Sequence, residues 1–258
     1  MQAPDKTGFL VIYEFPLNER VRIWLRLSDL FDKTLFFCRS ADARCHHSGL
    51  LGIFEIVDVL TRSDIKTDLL QELERQKHGL EGLRSNPKVD AKKLNDVIDR
   101  LASSQADLLA MTGKMGQHLR ENEWLAGIKG RASIPGGACS FDLPVYHYWL
   151  NRPAEHRRAD LMTWLSPLLP IRHAADMVLK LLREGGQISQ HVAVQGQFQL
   201  MLGGRTAQML RITTEACCAP EVSANKYAVN ICFLIPDTAQ KPRTCDEDVT
   251  FELAFCNC

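Results

Sequence analysis

No run of apolar residues in this chain comes near the roughly 20 needed to cross a bilayer, so no membrane-spanning helix is expected. The opening segment holds only the short run Phe9-Leu10-Val11-Ile12-Tyr13 between Lys6 and Glu14. It reads as a strand rather than a secretory signal, which points to the cytoplasm. An excess of either charge is lacking too: 31 Lys and Arg balance 31 Asp and Glu. That balance argues against a whole-molecule pull toward nucleic acid or a membrane surface and leaves charge recognition to local patches. Internal repeats and low-complexity tracts are absent. There is no G-x-S-x-G nucleophile elbow, and neither Gly136-Gly137 nor Gly203-Gly204 leads into the Lys-Ser/Thr of a phosphate loop.

Cysteine is in surplus, with nine residues at positions 38, 45, 139, 217, 218, 232, 245, 256 and 258. An odd number in a long chain without an export signal argues against a disulfide framework. The residues read as small buried hydrophobes plus a few exposed thiols. Cys245, Cys256 and Cys258 cluster near the end, and Cys45 precedes His46-His47, but the close Cys pairing that shuts a tetrahedral zinc site is missing, so no metal is expected. A chain of 258 residues, 45% apolar and 24% charged, is long enough to bury a real core in one large or two small domains.

From Asn18 the apolar period is helical, through Val21, Trp24, Leu25, Phe31 and Leu35. Helices follow over 49–60 and 65–83, and a break at Asn86-Pro87 precedes another that starts at Asp90. Gly113 and Gly116 interrupt the pattern before 118–124. Residues 160–169 and 172–183 read as two more helices, stopped by Gly185-Gly186. The apolar stripes on 65–83 and on Leu94, Ile98, Leu101 and Leu108 suit a helical hairpin and offer a homodimer face. The period then changes to two over 192–202, 208–214, 227–235 and 249–255. With 9–15 these make an antiparallel unit of about five strands, in which Gly203-Gly204-Arg205 reads as a hairpin turn. The fold class is α+β, a helical bundle with a small antiparallel β domain.

The most informative stretch is 133–150. Pro135-Gly136 fits the centre of a type II turn, where glycine supplies the positive φ. Pro144 suits the first turn of a helix, with Asp142 upstream as a candidate cap. Beyond it Tyr146, Trp149 and Leu150 share a side, with His147 beside them. Cys139, Asp142 and His147 lie close enough to be drawn as a thiol- or metal-dependent catalytic set, but Cys139, between a turn and Phe141, reads as buried and structural.

The segment Ser133-Ile134-Pro135-Gly136-Gly137, then Cys139-Ser140-Phe141-Asp142-Leu143-Pro144, His147 and Trp149-Leu150, resembles the signature of the ZapD family. So does the opening Glu14-Phe15-Pro16-Leu17-Asn18-Glu19-Arg20 with Arg22, Trp24, Leu25 and Arg26. Gly116-Gln117-His118-Leu119-Arg120-Glu121 and the closing Phe251-Glu252-Leu253-Ala254 are similar to further motifs of the family, in its order. The resemblance implies a non-enzymatic cytoplasmic division factor without cofactor, recruited to mid-cell by FtsZ. Such a factor binds the C-terminal tail of FtsZ, bundles its filaments, promotes Z-ring assembly and lowers FtsZ GTPase activity as a consequence. It also implies a homodimer formed through the helices and a chain shared discontinuously: 18–122 and 159–183 in the bundle, and 1–17, 123–158 and 184–258 in the β domain.

The resemblance places Arg26 and His147 in a basic pocket for that acidic tail. Arg22, one helical turn from Arg26, together with Arg120, Lys129 and Arg131, extends the same basic constellation, and Arg152, Arg157 and Arg158 follow it. Arginine suits the task, because its planar fork grips a carboxylate with two hydrogen bonds. Glu123 departs from the pattern, since some members carry arginine there. Trp24, Tyr146 and Trp149 read chiefly as packing residues.

Overall fold

A computed structural model describes residues 9–61, 64–215 and 217–257; Cys258, grouped above with Cys245 and Cys256, lies outside them. The chain forms two compact units, one of Ile23–Val178 and one of the described residues up to Arg22 with those from Leu179 onward. The fold class is α+β.

The helical unit begins in α1 (Glu19–Arg39). A three-residue loop, Ser40–Asp42, leads to α2 (Ala43–Leu60), whose N-cap Asp42 accepts from Arg44 N at 2.7 Å. The expectation started α2 at Gly49; the polar run Arg44 to Ser48 hid a first turn that the Asp42 cap begins. Helices α1 and α2 run antiparallel in close contact. A Cβ on Gly52 would fall 2.2 Å from Thr34 Oγ1, and Lys33 bonds Glu55 at 2.9 Å.

Next come α3 (Ile65–Glu81) and α4 (Ala91–Ala110), capped by Asp64 and Asp90. Ile65, Leu69, Leu73, Leu94, Ile98, Leu101 and Leu108 are all buried within the protomer. Along the same stripes Leu70 and Leu80 are half-buried and Leu83 is exposed.

A four-residue helix, α5 (Gln117–Arg120), precedes α6 (Glu123–Ala132), whose N-cap Asn122 accepts from Leu125 N at 3.1 Å. The unit is completed by α7 (Pro144–Leu150), α8 (Ala154–Leu165), a 3-10 turn at Ser166–Leu168 and the start of α9 (Leu169–Glu184). Helix α8 begins six residues before the expected Asp160.

The second unit holds two antiparallel sheets instead of one of about five strands. The strands are β1 (Leu10–Pro16), β2 (Gln187–Ala193), β3 (Gln197–Met201), β4 (Met209–Glu215), β5 (Ala219–Ala224), β6 (Ala228–Ile235), β7 (Arg243–Thr244) and β8 (Val249–Cys256). Their order is β1-β4-β8-β2 in one sheet and β3-β6-β5 in the other, with β7 on β6. Alternate residues of both sheets, among them Leu210, Ile212, Phe251 and Leu253 of the first and Val229, Ile231 and Phe233 of the second, share one core, as period-two patterning requires.

The expected single strand over 192–202 splits at Gln195-Gly196, where φ of 49° and 70° make a tight turn. That turn carries the chain from one sheet to the other. Gly203-Gly204 also turns tightly, with Arg205 N bonded to Leu202 O at 2.9 Å. It joins β3 to β4 in different sheets, so it is not the hairpin expected. Glu14 holds Arg183 Nε and Nη2 at 2.7 Å each, and Arg211 Nε at 3.3 Å. The opening glutamate of the signature therefore serves the β unit.

Residues 123–158, assigned above to the β domain, group with the helices. The reason is contact: Tyr146 OH meets His47 Nδ1 of α2 at 2.7 Å, and Trp124, Trp149 and Trp164 pack together.

The turn at Ile134–Gly137 is as expected, with Gly137 N bonded to Ile134 O at 2.9 Å and Gly136 at φ 73°. A Cβ at Gly136 meets open space, whereas one at Gly137 would lie 2.2 Å from Arg131 O. Gly136→Ala is therefore expected to cost about 1–2 kcal/mol of backbone strain, and Gly137→Ala distinctly more. Urea denaturation of the two variants checks the order; equal stabilities would remove the steric account.

Candidate functional site

The turn aims α7. After Gly137 the chain folds back so that Asp142 N and Leu143 N both bond Cys139 O, at 3.1 and 2.9 Å, and Pro144 opens the helix. Asp142 is not the cap, which is Leu143 without a side-chain bond; its carboxylate faces Arg131 at 3.8 Å instead.

The inner side of α7 is aromatic. Tyr146 stacks on Trp149 at 5.7 Å and 14°, Trp124 meets both edge-on, and Trp164 closes the group. Trp149 Nε1 donates to Asp160 at 2.8 Å, and Arg152 bonds the same carboxylate oxygen at 3.1 Å. The packing role read for Tyr146 and Trp149 is what these contacts perform. The outer side of α7 presents Val145, His147, Tyr148 and Asn151 to solvent, with Asn151 Nδ2 3.3 Å from His147 Nε2.

The six basic residues sort by what they touch. Arg22 pairs with Glu19 at 3.1 Å, Lys129 with Asp58, and Arg131 with Asp142. Arg120 is exposed and reaches Met115 O at 3.4 Å. Arg26 is exposed, and among the described residues neither it nor His147 has an acidic partner.

Arg26 and His147 are not adjacent. The register Lys33–Glu55, Thr34–Gly52 puts Arg26 level with the C-terminal end of α2, while Tyr146 bonds His47 near its start. At 1.5 Å per residue the two levels lie about 20 Å apart along α2. Glu123 occupies the first turn of α6, where a carboxylate complements the helix dipole.

Two of the arginines read as surface charge are structural. Arg157 is only 5% exposed. It donates from Nε to His46 Nδ1 at 2.9 Å, from Nη1 to Leu150 O at 3.0 Å and to Arg152 O, and from Nη2 to Ala41 O at 2.7 Å. Arg158 Nη2 reaches Ser40 O at 3.2 Å. These donors pin the α1–α2 loop, and nothing in a linear sequence separates an arginine so used from a solvated one.

No side-chain hydrogen bond joins Cys139, Asp142 and His147 among the described residues, and Cys139 is exposed rather than buried. No group of three His, Cys, Asp or Glu side chains among the described residues is placed to hold a metal. His46, beside Cys45, is turned to other use: Nδ1 accepts from Arg157 while Nε2 meets Ser40 O at 2.7 Å. Only the neutral imidazole with its proton on Nε2 satisfies both.

Burial, and the Arg157 and Arg158 charges, hold the His46 pKa below the usual 6.5, and burial lowers that of His47. The unfolded chain therefore binds the extra protons, and stability falls as pH drops from about 6.5 toward the lowered values. His46→Gln, whose amide can accept and donate in the same places, is expected to flatten that loss in pH-dependent thermal melts; an unaltered slope would assign it elsewhere. Arg157→Leu leaves three backbone carbonyls without this donor and is expected to cost about 3–5 kcal/mol in chemical denaturation.

Residues 25–232 match the family model described as ZapD, Cell division protein. Cell division protein ZapD of Dechloromonas aromatica (strain RCB) is 51% identical over 251 residues, covering 96% of this chain and 100% of that protein. The proteins of the same name from Azoarcus sp. (strain BH72) and Aromatoleum aromaticum (strain DSM 19018 / LMG 30748 / EbN1) are 49% and 48% identical, over 96% of this chain and 99% and 98% of their own lengths. Matched along nearly its whole length by proteins that also contain little beyond it, this chain belongs to the ZapD family of cell division proteins.

Proposed function

We propose that this chain is a non-enzymatic division factor that binds FtsZ directly through the acidic C-terminal tail of FtsZ. Acting in the cytoplasm as a homodimer, it crosslinks and bundles FtsZ filaments at mid-cell and promotes Z-ring assembly. Lowered FtsZ GTPase activity follows from the bundling. The observation that carries the reading is the exposed Arg26 without an acidic partner among the described residues, on α1 and within the residues that match a division-protein family. His147, likewise free of carboxylates, is the second anchor.

About 20 Å between their levels matches six or seven residues of extended peptide at roughly 3.3 Å each. Arg120 stands available to the same ligand. Arg22, Lys129 and Arg131 contribute by exchanging an internal carboxylate for that of the tail. One such contact is weak, since exposed ion pairs are worth about 0–1 kcal/mol. Two tail sites on one dimer raise the apparent affinity on the order of 10²-fold through effective concentration. Self-association through the helices supplies that divalency; Phe36 of α1 and Leu109 of α4 are exposed.

Arg26→Glu is expected to abolish pelleting with FtsZ polymers while leaving the melting temperature within about 2 °C, because the side chain is exposed. Full-length FtsZ should pellet this protein, and FtsZ lacking its last residues should not. Unchanged pelleting by the variant would overturn the reading.

A further inference from the structure

One edge of the β unit is unguarded. Among the described residues β2 pairs with β8 alone and ends its sheet. An open strand edge invites further pairing, and proteins blunt it with proline, charge or short length. The other edges carry such guards: β1 has Glu14 and ends at Pro16, β5 has Pro220 and Glu221, and β3 is five residues long. The β2 sequence, Gln187-Ile188-Ser189-Gln190-His191-Val192-Ala193, runs for seven residues without proline, lysine, arginine or a carboxylate. His191 packs inward on Phe198 and Phe251. Ile188, Gln190 and Val192 therefore share the outer face, and the two aliphatic residues are 66% and 50% exposed.

These aliphatic residues stand symmetrically about Gln190, the midpoint of the strand. We infer that a second copy of this chain seats on the β2 edge, antiparallel and two-fold about Gln190, so that the sheets of two β units run on into one. In that register Gln187 faces the partner's Ala193, Ile188 the partner's Val192, Ser189 the partner's His191, and Gln190 the partner's Gln190. The whole strand is paired. Each exposed aliphatic side chain meets another, a favourable cross-strand pair withdrawn from water. Gln190 Nε2 donates one hydrogen to Glu252 Oε1 at 2.8 Å; its second amide hydrogen and its oxygen are left for the partner's Gln190. A two-fold contact brings like residues together, and on this edge those residues are neutral. Glu252 lies one strand further in, which keeps the two copies of it about 14 Å apart, beyond a Debye length in physiological salt. Nothing in β2 selects an occupant by charge. Spacing selects it, and the strand with matching spacing is β2 itself.

A single strand edge is small against the roughly 1,600 Å² of a standard interface. The contact therefore adds to a dimer formed through the helices rather than replacing it, and links such dimers end to end.

The test is disulfide trapping in the full chain with copper–phenanthroline across a dilution series, read against wild type with its nine native cysteines. Directly opposed residues have Cα atoms about 4.5–5.5 Å apart, within reach of a disulfide, whereas residues four positions out of register are roughly 13 Å apart and out of reach. Gln190→Cys alone is expected to give a crosslinked pair several-fold above the wild-type background. Ile188→Cys alone should stay at that background, and Ile188→Cys/Val192→Cys should rise above it. A Gln190→Cys variant that crosslinks no more than wild type, or no more than Ile188→Cys, overturns the proposal. Independently, Ile188→Lys/Val192→Lys installs the guard that the edge lacks, at exposed positions where the melting temperature should not move. It is expected to remove the largest concentration-dependent species in sedimentation velocity and to leave binding to FtsZ polymers intact. An unchanged sedimentation profile also overturns the proposal, and if FtsZ pelleting is lost with it, a strand of FtsZ is the occupant. Crosslinking and sedimentation contain no FtsZ, so the tail reading can fail without touching this one.

Discussion

The helical unit depends on a cation buried without a carboxylate in contact. Arg157 lies inside the protein with four neutral acceptors: one imidazole nitrogen and three backbone carbonyls. An isolated charge in such a place is costly. What compensates it is the position of the carbonyls. Leu150 ends α7 and Arg152 follows it, while Ala41 comes two residues after the end of α1. These groups lie at or just past helix C-termini, whose carbonyls lack intrahelical donors and carry the negative end of the helix dipole. Two helix ends thus converge on one guanidinium. The same bond fixes the tautomer of His46, which in turn holds Ser40 O. One side chain on α8 therefore sets the α1–α2 loop and the exit of α7 together.

That constraint divides the labour on α7. Seven residues are too few to be helical in isolation, so α7 exists because it is held at its end by Arg157, on its inner side by the tryptophan group, and at its entry by the tight turn before Cys139. With both ends fixed, the helix points Tyr146 and Trp149 inward and His147 and Tyr148 outward. The exposed residues are consequently presented on a rigid support, and little conformational entropy is lost when a ligand orders against them.

Much of this was legible in the sequence where the physics is local. The helix starts near Asn18 and Asp90, the 65–83 helix to within two residues and the Pro135-Gly136 turn follow from local periodicity, capping and turn chemistry alone. The period change that opens the β unit follows from side-chain alternation. Failures occurred where tertiary contacts overrode local signals. The first turn of α2 was missed because His46 and His47 look polar, yet both bond inward. The alternation of 192–202 ran on through Gln195-Gly196 and concealed a change of sheet. Strand β5, with Pro220 and two alanines, has the composition of a loop and sits at a sheet edge, where proline is tolerated. The assignment of 123–158 to the β domain came from resemblance, and no periodicity in that segment could have revealed its contacts with His47 and Trp164.

For the basic residues the limit is of another kind. A sequence counts charges, but recognition depends on which of them remain uncompensated. Lys33–Glu55 and Lys129–Asp58 form a line of alternating charge in which Glu55 and Asp58 are one turn apart on α2. That line is neutral and offers an acidic ligand no net attraction. Arg26, beyond its end on α1, and His147, on α7, remain. In a molecule with no net charge, long-range steering is weak and two separated basic side chains cannot hold a partner by Coulomb attraction alone. Under the proposed reading, specificity then has to come from the spacing of Arg26 and His147, which is a requirement for a ligand of defined length rather than for any polyanion.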